Sequence, residues 1–372
     1  MPTHGAHRAL SVMFTWLLLS SCTPETLMEP SGTSATSIAM PPIAPPMTEL
    51  PGMGATSTAS TASPEAAPTL GTVGSMQLTF SVFFPGDLET LGAIDVGCPR
   101  ETPPCLDEPV TLFEAHNPYS PVAIHEHAWS PDGRFVAIAM ASNVDDSTDI
   151  FVGEATRDRI EDLRNLTQSA VVWESDVSWA PDGSRLVYSR SSSAQEGTRI
   201  FAIGLDGSPQ GQFLSSSGFQ SPSYVRLAPG GDRLAFVLPH GLDTLLYVSN
   251  LEGTSAVEIT ETGHVDGAGS FSPDGRSLVY CWLPDVTSHA GQLIVVGLDL
   301  DGEPLGRSIV TEAEGCSEPS WSPDGEWIAF GARIDGLWRV QIVRPDGSDK
   351  LTVDSGPGDA GDPQWRWLPY ES

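Results

Sequence analysis

Lysine is all but missing from this chain: position 350 holds the only one in 372 residues. Lys and Arg together number 18 against 48 Asp and Glu, a formal charge of −30. Such a surface repels phosphate backbones, which argues against nucleic-acid binding. Its plain meaning is solubility and self-repulsion; the sharper meaning is a face that attracts cations. Catalytic signatures are missing as well. The sequence contains no Gly-x-Ser-x-Gly elbow, no His-Glu-x-x-His and no phosphate loop, so no catalytic residue is singled out. Nor does any cysteine spacing suggest zinc. The apolar run at residues 9–19 falls short of the roughly 20 residues that cross a bilayer.

What is present begins with that run. His4, His7 and Arg8 precede it, and Leu19-Ser20-Ser21-Cys22 closes it. These four residues resemble the box of bacterial lipoprotein signals, which is cut before its Cys and diacylated on the sulfur. The resemblance implies a signal peptide over 1–21, lipidation at Cys22 and an exported chain anchored to the bacterial cell membrane, facing periplasm or exterior. An ordinary export signal is the alternative. Residues 23–75 are Thr, Ser, Pro, Ala, Met and Gly with few aromatics or charges. Such a composition buries too little apolar surface to offset its ordering entropy, so a disordered tether over 22–75 is expected. As a coil it would reach roughly 40 Å.

From Met76 onward the chain repeats itself. Hairpin stretches read AWSPDGRFVAIAM from 128, SWAPDGSRLVYSR from 178, RLAPGGDRLAFVL from 226, SFSPDGRSLVYCW from 270 and SWSPDGEWIAFGA from 320. In each, Pro presets φ, Asp bonds its own backbone and Gly accepts positive φ, and strand formers flank the turn. The third copy departs, with Leu227 for Trp and Gly230 for Asp. A sixth echo, DPQWRWLPY around Trp365, lacks the turn. Between these hairpins a third strand, ending in Asp-Gly or Glu-Gly in four of its five copies, and a short fourth strand recur, for example QLIVVGLDLDG and GRSIVTE.

Four antiparallel strands per period of 44 to 50 residues are the signature of a propeller blade. With the Trp-Ser-Pro-Asp-Gly hairpin in five copies, the chain resembles the TolB-type, WD40-like (PD40) β-propellers. TolB carries a further α/β domain before its propeller; here the tether stands in that place, so TolB's transport role does not carry over. QLTFSVFF, TLGAIDVG and VTLFEA supply second, third and fourth strands at the start, while the sixth repeat stops after its first strand. The expectation is an all-β, six-bladed propeller over 76–372 whose last blade is shared by N- and C-terminal strands, leaving no open edge.

That topology suggests cysteine pairs. Cys98 and Cys105 flank one turn of the composite blade; Cys281 ends a second strand and Cys316 opens the next blade. Disulfides 98–105 and 281–316 are expected, worth about 2.5 and about 4 kcal/mol by loop entropy, with free buried thiols the alternative.

Two constellations could carry function. His125 and His127 flank Glu126, and alternation puts both imidazoles on one side of a strand, where they offer two metal nitrogens or are satisfied by neighbours. Three residues before each large first-strand residue stand Glu126, Asp176, Tyr224, Ala268, Glu318 and Asp362, at the channel mouth. These acids either bond loop amides or form a rim for a cation, calcium being the candidate, or for a basic partner segment. No other cofactor is expected. The leading expectation is a monomeric, non-enzymatic binding or scaffold module for an envelope or extracellular protein or peptide. The alternative is a metal-assisted hydrolase or lyase at the channel mouth.

Overall fold

A computed structural model describes residues 75–368, apart from residues 85–87, 97–103, 105, 116–123, 142–146, 170–171, 192–196, 261, 286 and 288. The expected signal peptide, the lipidation site Cys22, the tether and the Cys98–Cys105 pair lie outside the described residues, as does the chain beyond 368. The described part belongs to one compact unit, Gly74–Ser372. Among the described residues there is no helix, hence none long and apolar enough to cross a membrane.

The first three strands, β1 (Met76–Phe84), β2 (Leu88–Val96) and β3 (Val110–Ala115), form one antiparallel sheet. Blade 1 follows as β4 (Ile124–Trp129), β5 (Phe135–Ala141), β6 (Thr148–Ala155) and β7 (Ile160–Asn165). Blade 2 is β8 (Trp173–Trp179), β9 (Arg185–Ser191), β10 (Thr198–Gly204) and β11 (Pro209–Phe213). Blade 3 is β12 (Ser223–Leu227), β13 (Arg233–His240), β14 (Asp243–Asn250) and β15 (Val257–Glu258). After a short β16 (His264–Val265), blade 4 is β17 (Ser270–Phe271), β18 (Ser277–Leu283), β19 (Ala290–Leu298) and β20 (Pro304–Glu314). Blade 5 is β21 (Ser317–Trp321), β22 (Ile328–Ile334), β23 (Leu337–Val343) and β24 (Leu351–Thr352). The last strand, β25 (Asp359–Trp367), returns to pair with β1, placing Leu78 opposite Trp365, so chain start and chain end share a blade.

Four of these blades are separate four-stranded sheets, and the other two are fused in a single nine-stranded sheet. The fusion is a departure from six discrete blades. Its cause is β16, which pairs parallel with β14 at Thr244 and antiparallel with β18 at Leu283 and Trp282. The ring still closes: the innermost strands touch in the order β4, β8, β12, β17, β21, β25 and back to β4.

The repeated hairpin explains why each first strand turns where it does. Ser130 Oγ donates to Asp132 Oδ1 at 2.6 Å, and the Arg134 amide donates to the same oxygen at 3.1 Å. The Phe135 amide donates back to Ser130 Oγ at 2.9 Å. The same three bonds recur at Ser272–Asp274 and Ser322–Asp324. In the divergent third copy the backbone bonds Ala228 N to Arg233 O and Gly231 N to Ala228 O survive, each at 2.9 Å, so only side-chain bonds are lost. Gly133 (φ 70°) has a second duty, because a Cβ there would stand 1.9 Å from the Trp367 carbonyl oxygen of the composite blade.

Alternation on each strand gives every blade two apolar faces, and six apolar clusters fill the six gaps between neighbouring blades. Met76, Leu78 and Phe80 pack on Trp327, Ala329 and Ile342 across the composite blade and blade 5. Val279 and Cys281 meet Ile328 and Phe330 across blades 4 and 5. The expected Cys281–Cys316 disulfide is formed there, with Cα atoms 5.4 Å apart.

Candidate functional site

The inner strands are not regular. Register slips between Ile124 and Glu126, Ser175 and Ser178, Ser223 and Arg226, and Ser317 and Ser320, and again in β25 opposite Phe80. Each slip is a β-bulge, which re-aims a side chain. At the bulges Asp176 (φ 55°), Tyr224 (φ 54°), Glu318 (φ 44°) and Asp362 (φ 50°) adopt left-handed backbone. Asp tolerates that conformation; Tyr and Glu rarely adopt it, so these positions hold strain in the manner of functional sites.

The bulges gather the sequence-predicted residues. Glu126 lies close enough to Asp176, Asp362 and Glu318 for all three to push its carboxyl pKa up. Burial is the largest cause of that rise, and the Arg226 guanidinium opposes it. The Tyr224 phenol is likewise pushed well up, first by burial and then by Asp266, Asp176, Glu318 and Glu126. Two of the acids cap amides of the next blade. Asp176 Oδ2 accepts from Tyr224 N at 2.8 Å, and Asp362 Oδ2 from His127 N at 3.2 Å. For Asp176 and Asp362, capping and rim are therefore the same residues.

Arg226 is the residue that sequence reasoning missed. Its guanidinium donates to Glu126 Oε1, joining β12 to β4 past the intervening blade 2. Burial works against its charge, but Glu126, Asp176 and Asp362 outweigh that and hold its pKa above the ordinary value. About a fifth of the side chain (21 %) stays exposed. A signal was there to find: the residue before each large one is Ala128, Ser178, Arg226, Ser270, Ser320 and Gln364, and one alone is charged.

The two histidines part company. His127 is fully buried: its Nδ1 lies 2.9 Å from Asp362 Oδ2 and its Nε2 2.8 Å from Thr79 Oγ1. Trp129 Nε1 donates to the same hydroxyl at 2.8 Å. Both ring nitrogens are engaged, so His127 is a structural residue joining β1, β4 and β25 and is not half of a metal pair. His125 instead meets the edge of the Trp173 ring, with centroids 6.4 Å apart. Among the described residues, no three His, Cys, Asp or Glu are arranged to hold a metal ion.

Solved structures with the same arrangement include TolB from Acinetobacter baumannii, at 18 % identity and TM-score 0.61, covering 78 % of this chain and 66 % of that one. A protein assigned as TolB from Agrobacterium tumefaciens gives TM-score 0.54 at 16 % identity, covering 81 % of this chain and 100 % of that one. The fold is a TolB-like β-propeller. No family model matches the sequence. An uncharacterised protein of Agrobacterium fabrum is 34 % identical over 104 residues, covering 27 % of this chain and 31 % of that protein. An uncharacterised peptidase of Bacillus subtilis is 26 % identical over 205 residues, covering 45 % of this chain and 30 % of the peptidase. The chain thus spans under a third of the length of these relatives. The TolB-like propeller is the part for which the structural likeness speaks.

Proposed function

We propose that this protein is a non-enzymatic binding module of the bacterial cell envelope, exported and held at the membrane through Cys22, whose channel mouth receives a cationic side chain of a partner protein. The observation that carries the reading is the convergence of Asp176, Asp362, Glu318 and the Arg226 guanidinium on Glu126, with Asp176 and Asp362 also acting on Arg226. Bulges and amide caps fix these acids, so the mouth offers oriented oxygens at little reorganisation cost. In a chain of charge −30 the surrounding field would steer basic segments toward it. A hard metal ion competes poorly there, because it would have to displace Arg226 from Glu126. The enzymatic alternative loses its nitrogen pair with His127.

Calorimetric titration with hexa-arginine tests the mouth. Binding is expected, and Asp176→Asn with Glu318→Gln should weaken it about tenfold. Glu252→Gln with Glu303→Gln, which removes the same charge from exposed positions elsewhere, should leave it unchanged. Equal losses from the two pairs would reduce the effect to net charge and end the proposal. For the anchor, mass spectrometry of the mature chain is expected to find acyl groups on Cys22, and an unmodified Cys22 would rule it out.

A further inference from the structure

Away from the mouth, blade 4 carries a groove of about 490 Å³ lined by Trp282, His289, Gln292, Glu312 and Glu314, among others. Strand register builds its floor. Trp282 on β18 is opposite Gln292 on β19, which is opposite Glu312 on β20, so an indole, an amide and a carboxylate stand in one row on one face. Two residues along, on the same face, Glu314 stands opposite Ala290 and adds a second carboxylate. Among the described residues, the groove lining includes two Glu and no Lys or Arg.

Four separate features hold this floor still. Trp282 Nε1 donates to the Thr262 carbonyl at 2.8 Å, which fixes the indole ring. Gly263 (φ 87°) lies so close that a Cβ would stand 2.4 Å from that same nitrogen. The β16 bridge pairs Val265 with Trp282 and is the reason blades 3 and 4 are fused. The Cys281–Cys316 disulfide adjoins Trp282 in sequence and crosses to blade 5 beneath Gly291, where a Cβ would meet Cys316 Cβ at 2.9 Å. Local structure is thus committed to presenting one aromatic ring at a fixed angle, with two carboxylates across the groove on the far side of Gln292. A preorganised aromatic face with anionic neighbours is the chemistry that recognises organic cations, through cation–π attraction reinforced by charge.

We propose that the Trp282–Gln292–Glu312 groove is a binding site for a small organic cation of the alkylammonium class, separate from the channel mouth. Choline and its uncharged isostere 3,3-dimethylbutan-1-ol are the probes, and the Trp282 indole N–H resonance, assigned by its loss in Trp282→Phe, is the readout. Choline should shift that resonance in a saturable way and the isostere should not. Glu312→Gln with Glu314→Gln should weaken the choline response about tenfold, while Asp176→Asn with Glu318→Gln at the mouth should leave it intact. Equal responses to choline and isostere would make the groove merely apolar and overturn the proposal. So would no response to choline, or a stronger response to a neutral disaccharide such as cellobiose, which would assign the groove to sugars. Melting curves of the double variant check that it folds, since Glu312 and Glu314 are exposed.

Discussion

At the scale of the residue, the Glu126–Arg226 pair decides how the mouth behaves. Removing the cation by Arg226→Met strands a buried carboxylate beside three others. That should cost about 2 to 3 kcal/mol, below the range for a fully buried pair because the guanidinium is partly exposed. Adding Glu126→Gln should recover most of the loss, and urea melts of the two variants measure it. The pH dependence follows from the raised pKa of Glu126. In the window between its ordinary value of 4.5 and its raised value, the folded state holds a proton that the unfolded state has released. Glu126 therefore adds stability below about pH 4.5 that is lost as pH rises through the folded pKa. Melting temperatures of the parent and Glu126→Gln should diverge across that window, and parallel curves would contradict the assignment. Spacing alone made the acids legible, because a bulge recurs in five of the six inner strands shortly before the large residue. Their counter-ion was legible only as the one charged residue at its repeat position; its partner was not, because Arg226 lies two blades away from Glu126 and no local pattern reports a contact across a channel.

At the scale of the element, the hairpin turns were readable down to the Asp side chain that bonds its own backbone, since that bond spans two residues, while the Ser bonds that complete each turn were not. What the turns touch was not. Gly133 and Gly336 both sit in turns with positive φ, at 70° and 83°, yet only Gly133 abuts another blade. Gly336→Ala should cost about 1 kcal/mol, the ordinary penalty of left-handed backbone. Gly133→Ala must also displace the Trp367 carbonyl and should cost about 3 kcal/mol or more. Differential scanning calorimetry of the two variants separates local strain from inter-blade packing. β16 escaped notice for a different reason. It is two residues long, in a Gly-rich stretch with no alternation of apolar and polar side chains, so nothing in the sequence marks it as a strand.

At the scale of the whole propeller, closure was anticipated from the missing strands at each end, but its fastening was not. Arg366 is almost wholly buried where the sixth turn would be, 4.0 Å over the Trp129 ring. Its guanidinium donates to Gln77 Oε1, and to Thr156 O at 2.7 Å. Burial lowers its pKa to about 10, with Asp95 opposing the drop. Arg366→Met should lower the unfolding midpoint by removing donors from these buried oxygens, and Arg366→Lys should not rescue it, because a point charge cannot fork among them. Closure requires that β1 and β25, nearly 300 residues apart in sequence, form one sheet that completes the ring. Hydrogen exchange read by mass spectrometry over Met76–Phe84 and Asp359–Trp367 tests this directly. The closed ring predicts that both segments are protected as strongly as β22 and β23, and that deleting residues 363–372 releases β1 while blade 2 stays protected. Rapid exchange of either segment in the intact protein, or undiminished protection of β1 after the deletion, would contradict it.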